Sequence, residues 1–186
     1  MHDALLGALL AVVGGGATAG TASGLKPAAL ACANPQLPPA ILAGANGAIS
    51  GDVAATPLAT IAVTGGASAL TLAVAANQRT RERGLMCVTA LKPAAGMIFV
   101  FAQTNEWAFW MKNTVVPLDM VWLAEDGTVT QVAANVPASK LDTPSGRVAR
   151  RSGQGRYVIE LRAGEASADH ITTGVRLGLP ALAAEE

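Results

Sequence analysis

Aromatic side chains are scarce in this chain of 186 residues: three Trp, three Phe and one Tyr. Where they gather therefore decides where a large core can form. Histidine is scarcer still, with only His2 and His170. A Ser-His-Asp or Cys-His nucleophile would have to recruit His170 alone, and a lone histidine near a helix end is more often structural or solvated. There is no H-E-x-x-H pair, no G-x-x-x-x-G-K phosphate cradle and no G-x-S-x-G elbow. Their absence removes the commonest hydrolase and nucleotide-binding classes. The two cysteines, Cys32 and Cys87, form no C-x-x-C pair, which leaves neither a zinc knuckle nor a dithiol motif. An oxidising compartment would allow them one bridge, but the preferred reading is two unpaired small hydrophobes, because Cys32 falls in a tail-like stretch. Net charge is zero, so no general attraction to nucleic acid or to an anionic membrane is expected.

Charge is also missing from the first third. Before Arg79 only Asp3, Lys26 and Asp52 are charged, and a folded surface needs more than that. Residues 1–22 read as a signal peptide: an apolar run from Leu5 to Val13 leads into small residues from Gly14 to Ala19, although His2 and Asp3 stand where a basic start is usual. An N-terminal membrane anchor is the competing reading, with glycine and threonine diluting the second half of the span. Residues 23–57, rich in Ala, Gly and Pro, read as a linker or tail with little apolar surface to offset ordering entropy. The expected domain is 58–180, followed by a tail over 181–186. A periplasmic or secreted location follows, with no stable membrane span once the signal is removed.

What is present begins at residue 84. Every Trp and Phe lies between Gly84 and Leu123, with Met86 and Met97 among them. The alternating runs Leu58 to Val63 and Leu70 to Val74 flank Gly65-Gly66 and predict a hairpin. Asn77 is placed to cap a short helical turn that Gly84 stops. Met97 to Phe101 is apolar on both faces, which predicts a strand covered on both sides or closed into a barrel. Gln103-Thr104-Asn105 predicts a turn, with a new strand from Trp107 to Met111. Leu118 to Leu123 and Val129 to Val132 predict strands joined at Glu125-Asp126-Gly127. A long loop over 135–156, a strand over Tyr157 to Arg162 with Tyr157, Ile159 and Leu161 inward, a short helix over Ala166 to His170 and a closing strand over Val175 to Leu177 complete the reading. The sum is an α+β domain dominated by short antiparallel strands, barrel-like or a sandwich, with one or two short helices.

The chemistry-bearing residues cluster after Phe109. Asp119 begins an apolar strand on the face shared with Val121 and Leu123, and a carboxylate there needs a partner. Lys112 is the nearest candidate and Arg81 the second. Lys112, Asn113 and Asp119 beside the Trp110 indole would make a corner for a small polar ligand or an envelope partner. Equally, Asn113 and Thr114 would shape the turn while Lys112 and Asp119 pair to fix register. A hydrolase-like enzyme with Asp119 or Glu160 as general base is the alternative. Met86, Met97 and Met111 with Cys87 are soft donors suited to copper(I), although each sits where methionine fills space in a core. Arg147, Arg150, Arg151 and Arg156 read as a solvated basic loop. No cofactor is expected.

The blocks Arg81-Glu82-Arg83-Gly84-Leu85-Met86, Gly96 to Phe101, and Phe109 to Thr114 with Pro117-Leu118-Asp119 occur in an order that resembles domain of unknown function family 192. Ile159-Glu160-Leu161 with Ala163-Gly164, and Ile171 to Gly174, are similar to its closing block, so the resemblance spans about Leu70 to Leu179. It implies a compact β-rich domain of bacteria and archaea, often behind a signal peptide, without established activity or cofactor. Arg81, Gly84, Met86, Trp110, Lys112, Asn113, Asp119 and Glu160 occupy the family's characteristic positions. Val88 and Val175 depart from it, standing where a basic and an acidic residue are usual.

Overall fold

The computed structural model describes residues 32, 34–43 and 58–185. The signal or anchor read over 1–22 lies outside them. Leu70, held against Val63 across the Gly65-Gly66 turn, closes the hairpin of β1 (Thr60–Val63) and β2 (Leu70–Ala75). Gly65 takes φ 109°, a conformation that a side chain would strain. The helix α1 (Gln78–Arg83) starts on Asn77, whose side chain accepts from the Thr80 amide while the Thr80 hydroxyl accepts from the Asn77 amide. It ends at Gly84 with φ 45°. This helix carries the chain over to β3 (Ala95–Trp110), which lies parallel to β2.

β3 runs through the expected turn at 103–105 without a break in strand structure. The turn survives as a bend: pairing with β6 (Arg150–Arg162) shifts register between Val100 and Asn105. Six residues of straight strand span about 20 Å, yet the rings of Phe101 and Trp107 stack with centroids 3.8 Å apart. The strand folds its own aromatics together. β4 (Leu118–Leu123) pairs antiparallel with β6 and with β5 (Val129–Val136), giving the order β1-β2-β3-β6-β4-β5 in a sheet that stays open rather than closing into a barrel. The sequence-expected loop over 135–156 is shorter than read, because β6 begins at Arg150. Gly153 and Gly155 explain why: a side-chain carbon at either would collide with Trp122 or with the Leu123 backbone, so this polar stretch can lie flat over a strand. The final helix, α2 (Glu165–Ala168), is shorter than expected, and the closing segment forms isolated bridges rather than a strand, Thr128 to Arg176 and Thr64 to Gly178.

Both faces of the sheet are buried. Met97, Phe99, Met120, Trp122 and Val158 belong to one core; Ile98, Val100, Val121, Leu123 and Ile159 belong to the other. Alternation along each strand assigns every side chain to its face. Indole N–H groups buried here are satisfied, Trp107 by the Gly155 carbonyl at 3.0 Å and Trp122 by the Trp107 carbonyl at 3.1 Å.

Two sequence expectations are corrected around Cys87. Within the stretch read as linker or tail, residues 34–43 pack on the first core: Leu37 and Ile41 are buried, and Asn34 donates to the Gly84 and Met86 carbonyls. Leu42 bridges to Leu91. That strap brings Cys32 to Cys87, and the two form a disulfide rather than remaining free. At the other end of the domain, Leu182 and Ala184 pack against the second core, although 181–186 was read as tail. Removing the bridge with Cys32→Ser and Cys87→Ser together should lower stability by about 2–4 kcal/mol in urea denaturation. Limited proteolysis should then cut between residues 34 and 43 first. An unchanged midpoint would mean that the strap holds without its covalent tie.

Candidate functional site

Two acidic side chains lie on neighbouring strands, and alternation sends them to opposite faces. Asp119 shares its face with Val121 and Leu123, as the sequence predicts, but it is fully buried. Its Oδ1 accepts from the Asn135 amide at 2.7 Å and its Oδ2 from the Ala166 amide at 2.9 Å. Backbone amides satisfy it, so the expected pairing with Lys112 or Arg81 is not formed. Asp119 ties β4 to the end of β5 and to the start of α2, away from the corner proposed for it. A general base needs a free lone pair facing a reactant, and this arrangement gives Asp119 none.

Glu160 faces the other way. It sits on β6 between Met97 of β3 and Met120 of β4, in register with both. Gly96 permits the close strand approach here, since a side-chain carbon on it would lie 2.0 Å from the Glu160 carbonyl oxygen. The Glu160 side chain is 5% exposed and makes no hydrogen bond or ion pair among the described residues. Loss of water around the carboxyl pushes its pKa up to about 8. The acid is thus mainly neutral at pH 7.

Glu160 opens onto a small cleft of about 40 Å³. Arg81 and Arg83 reach it from α1, Phe99, Phe109 and Trp110 from β3, and Lys112 and Thr114 from the loop beyond. The Arg81 guanidinium is held in place by the carbonyls of Ala76 and Val100 and lies 5.2 Å from the centre of the Phe101 ring. Lys112 Nζ donates to the Thr143 carbonyl at 3.2 Å. Trp110 is 43% exposed, with the Arg150 guanidinium 5.3 Å from its ring. Behind the cleft the Phe109 ring packs edge-on against Phe99 and Trp122, which fixes the wall.

Of the residues singled out in the sequence, Arg81, Trp110, Lys112 and Glu160 come together. Asn113 adjoins them through its backbone: with φ 53° it turns the chain, and its carbonyl accepts from the Cys87 amide at 2.8 Å. Asp119 does not join. Arg83 and Phe109 also line the cleft, and nothing local in the sequence pointed to Arg83, since residues two apart on a helix do not share a face. The soft-metal set does not assemble as read, because Cys87 is spent in the disulfide while Met97 and Met111 are fully buried in the core. Among the described residues no three His, Cys, Asp or Glu side chains group as metal ligands.

A family model for domain of unknown function family 192, described as an uncharacterized ACR, matches residues 59–179. Two solved structures are similar. A Sinorhizobium meliloti 1021 protein described as a "putative transcription regulator" is 36% identical, with a TM-score of 0.53 over 60% of this chain and 82% of its own. A Novosphingobium aromaticivorans DSM 12444 protein of unknown function is 29% identical, with a TM-score of 0.54 over 67% of this chain and 88% of its own. No curated protein matches.

Proposed function

Since the chain belongs to domain of unknown function family 192, whose members share an uncharacterised description, we propose a function from its own side chains: an exported, non-enzymatic domain that binds a small polar ligand in the cleft of Arg81, Trp110, Lys112 and Glu160. The observation that carries this reading is Glu160. Its carboxyl borders the cleft with no hydrogen bond to any described residue, and Lys112 and Arg81 line the same cleft yet donate to backbone carbonyls instead. Polar groups gathered at a concave site without bonding one another mark a place where something else completes the bonding. Export is supported by the Cys32–Cys87 bridge, a bond that persists in oxidising compartments. Among the described residues no helix is long and apolar enough to cross a membrane.

The description of the Sinorhizobium chain is not extended to this one. Net charge is zero, which offers a phosphate backbone no general attraction. One observation favours a second reading, an enzyme with Glu160 as general acid: a carboxyl with its pKa raised to about 8 can both hold and deliver a proton near neutrality.

A fragment screen of small polar compounds, followed by nuclear magnetic resonance at the Trp110 indole and the Lys112 amide, tests the binding reading. Lys112→Ala should weaken the best hit about 10–100-fold, the worth of one charge-assisted hydrogen bond, while the melting temperature stays within a few degrees. A blank screen at both signals would overturn the binding reading. Turnover of a hit that Glu160→Gln abolishes would favour the enzyme.

A further inference from the structure

We propose that the cleft takes the carboxylate head of a small organic acid, with Glu160, Lys112 and Arg81 donating to its oxygens and the Trp110 ring lying alongside the rest of the molecule. The inference rests on the binding reading above and names the class of ligand. Three cationic side chains, Arg81, Arg83 and Lys112, line the cleft against two acids, Glu82 and Glu160. Glu82 is exposed and accepts from Gln78 on its own helix at 2.8 Å, so it faces away in part. Among the described residues no other charged side chain lines the cleft, although Arg150 stands over the outer Trp110 ring. The sheet neighbours of Glu160 are Met97 on β3 and Met120 on β4, and the other walls include Leu85, Met86, Phe99 and Phe109. The balance is positive, and it selects an anion.

A cationic ligand would have to ionise a desolvated carboxyl and sit among three like charges. A carboxylate meets the opposite conditions. The protonated Glu160 donates one hydrogen bond, and the guanidinium of Arg81 keeps donors beyond the Nη1 already used. The space is small, about 40 Å³, so the charged head enters it and little else does. A planar carboxylate can accept from a guanidinium edge and from the Glu160 hydroxyl at once. The remainder of the ligand stays outside, where the half-exposed Trp110 offers a ring face.

The test is a titration of the full disulfide-bonded chain with benzoate, phenylphosphonate, benzamide and benzylammonium between pH 6 and pH 9.5. Shifts of the Trp110 indole and Lys112 amide report the site. Benzoate should bind at least tenfold more tightly than the other three. Its affinity should fall about tenfold per pH unit above about 8, as Glu160 ionises and repels it. Glu160→Gln keeps a neutral donor in place and should bind benzoate with a flat profile over that range, while Lys112→Ala should bind it more weakly at every pH. Preference for benzamide, benzylammonium or phenylphosphonate at the same two signals would overturn the carboxylate class and leave the cleft as a binding site. A flat profile in the unaltered chain would overturn the role given to Glu160. No response to any of the four overturns the inference; only a blank fragment screen as well removes the binding reading beneath it.

Discussion

Asp119→Ala should lower stability by about 3–5 kcal/mol, the usual cost of stripping the partner from buried polar groups. The amides of Asn135 and Ala166 both donate to this carboxylate, one to each oxygen, at a fully buried position. Alanine leaves both N–H groups without an acceptor and without water to replace it. The damage should be directional. Asn135 has φ 51° and sits where β5 leaves its regular pairing with β4, and Ala166 lies in the first turn of α2, so both places depend on the same side chain. Hydrogen exchange at those two amides should accelerate more than at Ile159 or Val158 in the sheet centre. Asp119→Asn should fall between, since the amide oxygen can still serve one donor while its NH2 opposes the other. A midpoint for Asp119→Ala within about 1 kcal/mol of the unaltered chain would mean that the anchoring account is wrong.

The ease of reading this fold from sequence tracks the range of the interactions that fix each element. The Asn77 cap, the Gly65-Gly66 hairpin and the Asp126-Gly127 turn depend on neighbours within a few residues, and the sequence carried all three. The doubly buried strand at Met97 to Phe101 was legible for a related reason: an uninterrupted apolar run has no solvent face to offer. The strap at 34–43 was not, because its anchors are Leu37, Ile41, the Leu42–Leu91 bridge and hydrogen bonds such as those from Asn34, all to residues far away in the sequence. No local pattern announces such contacts. The disulfide was missed with it, its partners being separated by 55 residues.

The same distinction divides the site. Arg81, Trp110 and Lys112 were singled out by residue type within polar or aromatic runs, and the cleft gathers them. Asp119 looked like their companion because it is near in sequence, yet strand alternation turns it to the other core. Glu160, forty-one positions later, replaces it from the adjacent strand. The register of β4 on β6 pairs Met120 with Glu160 and Asp119 with Leu161, and one residue of offset is enough to exchange the two acids between faces. Register between distant strands is a tertiary quantity, and the alternation of each strand read singly does not contain it.

Glu160→Gln should abolish a pH dependence that the unaltered chain carries. The Glu160 carboxyl titrates at about 8 in the folded chain against an ordinary value of 4.5, with desolvation as the cause. Between those values the folded state holds a proton that the unfolded state has released, so unfolding liberates a proton and rising pH favours it. The folded state is therefore at its best, as far as this group is concerned, below pH 4.5, and loses about 1.4 kcal/mol per pH unit up to about 8, where the loss levels off. Across the whole window the loss is at most about 5 kcal/mol. Glutamine has no proton to lose. Urea midpoints for Glu160→Gln should stay level from pH 5 to pH 8 after common trends are subtracted, and by pH 8 the variant should be the more stable chain by several kcal/mol. Parallel curves for the two proteins would mean that Glu160 is ionised in the fold at neutral pH. A charged Glu160 would cancel one of the three cations beside it, and the argument for an anionic ligand would go with the proton.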